Sequence, residues 1–130
     1  MAAIDDSSEK LPFTYKIVNR KEKNIGGGDV SFDEIVLAGK LEFLSNPDLE
    51  KNFCEMDGVS TDRLVINLKE INFINSLGLN FILNEYDKCT KKGKKFFISN
   101  TGNYVKKVFT ITKLDQIFKI LVNSDECVNL

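Results

Sequence analysis

Short, largely apolar stretches recur along the chain, the first of them (residues 13–18, FTYKIV) with a period-two alternation of apolar and polar residues, and this pattern predicts β-strands. The predicted strands are residues 13–18, 32–37, 63–68, 96–99 and 117–120. Residues 24–29 (NIGGGD) join the first two strands, and their glycines allow the positive φ angles of a flexible connection. We therefore expect the first two strands to pair antiparallel as a hairpin.

A helical spacing of apolar residues replaces this alternation between the later strands. Asn46-Pro47-Asp48 has the chemistry of a helix start, and Asp57-Gly58 ends that helix. Further helices are predicted from Asn75 to Gly93, around residues 105–112, and from Asn123 to Leu130. Because helices and strands alternate from residue 46 onward, we expect parallel strand pairing with right-handed crossovers.

The predicted fold class is α/β, with a small mixed β-sheet, helices packed against it and no internal repeat. A chain of 130 residues is long enough to bury one such core, so one domain is expected. This domain is predicted to span residues 13–130. The preceding residues 1–12 are interpreted as a flexible N-terminal tail.

Composition and charge favour a cytoplasmic globular protein. Hydrophobic residues make up 42% of the chain, charged residues 28%, and the net charge is −1, so no overall field favours nucleic acid or an anionic membrane. The longest apolar runs are too short to span a bilayer, and the N-terminus lacks signal-peptide character. The lysines at 88, 91, 92, 94, 95, 106 and 107 are interpreted as a solvated face. We therefore expect neither direct nucleic-acid binding nor membrane insertion.

The residue types of common catalytic and metal sites are largely missing. The chain has no histidine and three widely spaced cysteines, Cys54, Cys89 and Cys127. This excludes Cys–His and Ser–His catalysis and argues against a zinc site or a disulfide framework. The cysteines lie in helical patterns and are interpreted as small buried thiols. We expect no enzyme activity, no metal and no cofactor.

Two polar loops are the candidate sites, because ligands of open α/β sheets bind beyond the carboxyl ends of parallel strands. Residues 72–78 follow the third strand, and residues 100–103 follow the fourth. In the first loop Ser76 is placed at a helix start, where free N–H groups and the helix dipole suit a phosphate, either bound or covalently attached. The same residues have a purely structural explanation: Asn75 caps the helix start, and Gly78 allows close packing.

The stretch from Leu64 to Leu83 (LVINLKEINFINSLGLNFIL) resembles the signature of the sulphate-transporter and anti-sigma-antagonist (STAS) domain. In that family an apolar strand leads through Asp-Ser-Ser/Thr-Gly-Leu into an apolar helix. Residues 35–41 (IVLAGKL) are similar to the family's second strand with its Gly-x-Leu exit. Residues 94–100 (KKFFISN) and 105–120 (VKKVFTITKLDQIFKI) are similar to its fourth strand and its late helix and turn. The resemblance covers nearly the whole chain from about residue 13.

The resemblance implies a bacterial anti-sigma factor antagonist that regulates transcription indirectly. In that family the first serine of the motif is phosphorylated by a partner serine kinase that is also the anti-sigma factor. The unphosphorylated antagonist binds this kinase and frees the sigma factor, and a serine phosphatase of the PP2C type resets the switch. On this chain the implied phosphoacceptor is Ser76. The implied partner-binding residues are Asn75, Ser76, Leu77, Gly78, Asn100, Thr101 and Gly102.

Three residues depart from the family pattern. Asn75 replaces the aspartate, Leu77 replaces a second small hydroxyl residue, and Lys113 stands where a helix-ending glycine is usual. We expect Asn75 to keep the capping ability and lose a negative charge, and the turn at Lys113 to differ or carry modest strain. Two other functions remain open for a STAS-like domain: a nucleotide- or small-ligand-binding module, and a scaffold subunit of a larger signalling or transport assembly.

Overall fold

Five strands form one sheet in the computed structural model, which describes residues 13–42 and 59–130. They lie side by side in sequence order: β1 (Phe13–Lys23), β2 (Asp29–Leu41), β3 (Arg63–Ile74), β4 (Lys95–Ser99) and β5 (Lys119–Leu121). β1 and β2 pair antiparallel, and the other neighbouring strands pair parallel. The mixed sheet and the hairpin predicted from the sequence are confirmed. Both hairpin strands are longer than the predicted residues 13–18 and 32–37.

Helices cover both faces of this sheet. The described helices are α1 (Ser76–Lys91), α2 (Asn103–Ile111) and the 3-10 helices Leu114–Gln116 and Ser124–Asn129. Ile82 of α1 and Phe109 of α2 are buried in one core with Leu64 of β3. The neighbouring Val65 points to the opposite face, where it is buried with Cys127 of the C-terminal 3-10 helix. The two α-helices therefore lie on one face, and the C-terminal 3-10 helix lies on the other.

The third strand is longer than predicted, because it continues past Leu68 to Ile74. Residues 69–74 stay paired with β2, where the register shifts between Val36 and Ala38 and again between Gly39 and Lys40. Such irregularities change which side chains face the core, so the apolar stretch that predicts the strand ends although the strand continues. The prediction that residues 72–74 belong to a loop is therefore wrong.

The end of the chain also differs from its prediction. The last strand is Lys119–Leu121 rather than residues 117–120, because Leu121 is buried under the C-terminal helix whereas Ile117 lies in a turn and is exposed. The final helix is a 3-10 helix that begins after the cap Asn123. The helix predicted from Asn46, the buried thiol predicted at Cys54 and the tail of residues 1–12 lie outside the described residues.

Lys113 occupies a left-handed backbone conformation, with φ 62° and ψ 18°, directly after the C-cap of α2. In this region the Cβ atom of any residue other than glycine lies too close to the backbone, and this raises the conformational energy. Lys113 therefore holds a backbone conformation that favours glycine, which is consistent with the modest strain expected at this turn. Within residues 13–42 and 59–130, no helix has the length and apolar character needed to cross a bilayer.

Candidate functional site

Ser76 is the first residue of α1 and its side chain is exposed to solvent. The strand β3 ends at Ile74, and Asn75 between them has extended backbone angles of φ −110° and ψ −179°. The side-chain oxygen of Asn75 accepts a hydrogen bond of 2.8 Å from the N–H of Gly78. Asn75 therefore caps the helix as expected, and it does so with a neutral amide where the family pattern has a carboxylate.

Two backbone donors remain available beside the Ser76 hydroxyl. In the part of the chain that the structure describes, the N–H groups of Ser76 and Leu77 have no hydrogen-bond acceptor. The first turn of α1 also holds no acidic side chain. Free N–H groups and the positive end of the helix dipole are the surroundings that stabilise a phosphate.

Gly78 fixes this helix start against the end of β2. A Cβ atom at residue 78 would stand 2.0 Å from the carbonyl oxygen of Leu41, so only glycine fits. The same carbonyl accepts a hydrogen bond of 3.2 Å from the N–H of Asn75. The close packing expected of Gly78 is confirmed, and it sets the position of Ser76 relative to the sheet.

Exposed apolar side chains flank Ser76. Leu77 is 40% exposed, and the rings of Phe73 and Tyr104 stack with their centroids 6.3 Å apart. The Tyr104 hydroxyl donates to the carbonyl oxygen of Ile74 at 3.3 Å, which holds this ring beside the end of β3. We call Phe73, Ser76, Leu77 and Tyr104 the Ser76 surface.

Phe73 and Tyr104 were not among the residues predicted from the sequence. Phe73 falls in the stretch predicted to be a loop, and Tyr104 lies 31 positions further along the chain. The only local signal for Tyr104 is an aromatic residue directly after the polar turn 100–103. Their stacking depends on the length of β3, which the alternation pattern does not reveal.

The second predicted loop leaves the sheet at an earlier level of β3 than the loop that holds Ser76. The pairing of β3 with β4 ends where Asn67 lies opposite Ser99, and β3 then continues for another seven residues to Ile74. Asn100, with a positive φ of 56°, therefore follows β4 at the level of Asn67 and not at the level of Ser76. Thr101 and Gly102 lead from there into α2, with Gly102 as its N-cap. The second loop therefore runs from the level of Asn67 towards Tyr104, whose ring lies on the Ser76 surface.

Asn100 instead lines a polar cleft on the face that the C-terminal helix covers. Glu34 also lines this cleft; it is only 7% exposed and accepts hydrogen bonds from Arg20, Asn67 and Ser124. Burial alone would raise the pKa of Glu34. The hydrogen bonds from Ser124 and Asn67 and the charge of Arg20 outweigh that effect and hold the pKa below its ordinary value.

The described cysteines are unsuited to nucleophilic chemistry. Cys89 and Cys127 are both buried, as expected. Burial raises the pKa of the Cys127 thiol to about 11, so the thiol is protonated at neutral pH. Among residues 13–42 and 59–130 no group of three histidine, cysteine, aspartate or glutamate side chains could hold a metal ion.

Comparison with known proteins identifies one family. The family model of the STAS domain matches residues 21–127, which is most of the chain. An anti-sigma-B factor antagonist of Staphylococcus aureus is 22% identical over 89 residues, covering 68% of this chain and 82% of that protein. The matched range contains the whole of the sheet from the end of β1 onward.

Two solved structures share the fold. An anti-sigma factor antagonist from Mycobacterium paratuberculosis superimposes with a TM-score of 0.59 at 23% identity, covering 87% of this chain and 92% of that chain. The unphosphorylated form of the anti-sigma factor antagonist SpoIIAA has a TM-score of 0.61 at 13% identity, covering 88% and 93% of the two chains. At these identities the similarity establishes the architecture of the sheet and helices.

Proposed function

We propose that this chain, which belongs to the STAS domain family, acts as an anti-sigma factor antagonist whose partner docks on the Ser76 surface. One observation carries the proposal. Ser76 presents an exposed hydroxyl at the start of α1, next to two N–H groups that have no acceptor among residues 13–42 and 59–130, and beside the exposed apolar side chain of Leu77. In this role the protein works by binding, without catalysis.

Phosphorylation of Ser76 would switch this binding off. A phosphate adds a charge of about −1.5 to −2 to a surface that is otherwise neutral and partly apolar. The N–H groups of Ser76 and Leu77 and the helix dipole stabilise the phosphorylated form by about 0.3–1 kcal/mol. A partner that buries Leu77 and Phe73 would have to desolvate the phosphate, which is costly without a matched cation. The fold therefore stays the same, and the interface changes.

The proposed partners follow from this switch. The anti-sigma factor is proposed to be the serine kinase that modifies Ser76, and a PP2C-type phosphatase to remove the phosphate. Asn75 is compatible with this role, because it keeps the cap on the Gly78 N–H and so preserves the helix start at which Ser76 lies. Since Asn75 is neutral, a phosphate on the adjacent Ser76 meets no repulsion from it.

The proposal is tested by measuring the affinity of the purified protein for its cognate anti-sigma factor by calorimetry. Ser76→Asp should weaken binding by at least about tenfold, and Ser76→Ala should bind within about twofold of the native chain. Ser60→Asp is the matched control, because Ser60 is exposed in the segment before β3. This control should leave the affinity unchanged.

The apolar half of the surface has its own test. Leu77→Ala should weaken the complex by about tenfold, because a central apolar side chain contributes more than 1 kcal/mol at an interface. Ile111→Ala serves as control, since Ile111 is 73% exposed at the far end of α2. Equal effects of Ser76→Asp and Ser60→Asp, or of Leu77→Ala and Ile111→Ala, would contradict docking on the Ser76 surface.

A further inference from the structure

A polar cleft of about 250 Å³ opens on the sheet, and Ser76 is not among the residues that line it. It lies where β3 continues beyond β4, between the loops that leave β4 and β5. The connection after β4 leads to α2 on one face, whereas the connection after β5 leads to the C-terminal 3-10 helix on the other face. In open α/β sheets the crevice between such diverging connections is the usual place for a ligand.

The floor of the cleft is held rigidly by buried hydrogen bonds. Glu34 and Ser124 are 7% and 3% exposed, and the Ser124 hydroxyl donates to Glu34. Ser124 and Ser99 share a further hydrogen bond of 2.6 Å. The Asn67 side chain bonds to Glu34 through its amide nitrogen at 3.0 Å and accepts from the backbone N–H of Lys69 at 2.9 Å. These groups are occupied by one another, so they shape the cleft without needing a ligand.

Three side chains on the rim differ from this floor. Lys69, Asn100 and Asp125 line the cleft, and within the described residues none of their side chains makes a hydrogen bond or an ion pair. The rim therefore offers one unpaired cation, one neutral amide and one unpaired carboxylate. The fold leaves these three groups available to a molecule from solution.

The charged residues that line the cleft determine which kinds of small ligand fit it. The lining holds two cations, Arg20 and Lys69, and two carboxylates, Glu34 and Asp125, so its formal charge is zero. The Arg20 guanidinium already donates to Glu34 and to Glu22. A nucleotide phosphate would meet only Lys69 as a free cation and would lie close to two carboxylates. A molecule with one positive and one negative group matches the rim instead.

We propose that this cleft binds a free amino acid or a similarly small zwitterion. Its carboxylate would accept hydrogen bonds from the Lys69 ammonium and the Asn100 amide, and its ammonium group would donate to Asp125. The volume corresponds to about eight water molecules, which suits a ligand of that size. This site is separate from Ser76 and does not depend on phosphorylation or on the anti-sigma factor.

The test is an NMR titration of the full ¹⁵N-labelled chain with each proteinogenic amino acid at millimolar concentration. We expect at least one of them to shift the backbone signals of Lys69, Asn100 and Asp125 in a saturable manner. Lys69→Gln and Asp125→Asn should each weaken that binding by about tenfold or more, because each removes one charge-assisted contact. Lys88→Gln and Asp115→Asn change exposed charges away from the cleft and should leave the affinity unchanged.

The folded state of each variant is verified from the remaining signals in the same spectra. The proposal is overturned if no amino acid shifts the cleft signals, or if the cleft variants bind as tightly as the native chain. It is equally overturned if inorganic phosphate or ATP perturbs the cleft more strongly than every amino acid does.

Discussion

Gly78 lies so close to the carbonyl oxygen of Leu41 that a Cβ on residue 78 would stand 2.0 Å from it. The first turn of α1 is thereby pressed onto the end of β2, although the two residues are 37 positions apart in the chain. The Asn75 N–H bonds to the same carbonyl oxygen. The orientation of Ser76 therefore depends on a backbone contact between a helix and a strand that is distant in sequence.

Gly78→Ala should destabilise the protein by at least about 2 kcal/mol, because α1 must move away from Leu41 to accommodate the methyl group. Gly102→Ala is the control: Gly102 is also at a helix start, has an ordinary φ of −75°, and has open space where a Cβ would be. Its effect should stay below about 1 kcal/mol. Urea unfolding followed by circular dichroism measures both values, and similar losses for the two variants would contradict the contact with Leu41.

Asn75→Ala should cost about 1 kcal/mol of stability, because the Gly78 N–H loses its acceptor. Asn75→Asp should retain the cap and add a stabilising interaction of about 0.3–1 kcal/mol with the helix dipole. Thermal unfolding at low ionic strength measures the order Asp, Asn, Ala from most to least stable. An Asn75→Ala variant as stable as the native chain would show that this cap contributes nothing.

Lys113→Gly should stabilise the protein by about 0.5–1 kcal/mol. Removing the side chain relieves a left-handed conformation that costs roughly 1–2 kcal/mol, and the added freedom of glycine in the unfolded chain offsets part of that gain. Lys107→Gly, in the interior of α2, should instead destabilise by about 1 kcal/mol. In denaturant unfolding the two variants should change the free energy of unfolding in opposite directions. A loss of stability in both variants would argue against strain at Lys113.

Glu34→Gln should destabilise the protein by about 1–3 kcal/mol at neutral pH, since the charged acceptor for Arg20, Asn67 and Ser124 is lost. The folded-state pKa of Glu34 lies below the ordinary value of 4.5, so the carboxylate contributes stability above that pH. The contribution disappears as the pH falls through the folded-state pKa. Unfolding free energies of the native chain and the variant should therefore converge in acid.

The exposed Glu70 provides the comparison for this pH series. Glu70→Gln should change the unfolding free energy by less than about 0.5 kcal/mol at neutral pH, as surface substitutions generally do. A gap between the native chain and Glu34→Gln that stays constant from neutral pH into strong acid would contradict the stabilised carboxylate.

The features of this fold that can be predicted from the sequence are those determined by residues close together in the chain. The hairpin follows from two short strands joined by the Gly-rich residues 24–29, and the Asn75 cap follows from an amide placed before an apolar helix. The order of helices and strands similarly indicates parallel pairing after β2. Each of these features depends on residues that are close together in the chain.

The rest depends on contacts between distant residues. The extension of β3 to Ile74 requires irregular pairing with β2, and the Phe73–Tyr104 stack exists only because of that extension. Glu34 and Ser124 meet across 90 positions, so no local pattern connects them. The sequence therefore predicts the helix start at Ser76, whereas the stack of Phe73 on Tyr104 and the polar cleft depend on contacts that only the three-dimensional structure shows.

The proposed phosphorylation of Ser76 is tested most directly by incubating the protein with the proposed anti-sigma factor kinase and ATP and mapping the phosphate by mass spectrometry. We expect a single phosphate on Ser76, no phosphate in Ser76→Ala, and normal phosphorylation of Ser60→Ala. An active kinase that leaves Ser76 unmodified, or that modifies Thr101 or another residue in its place, would contradict a switch at the start of α1.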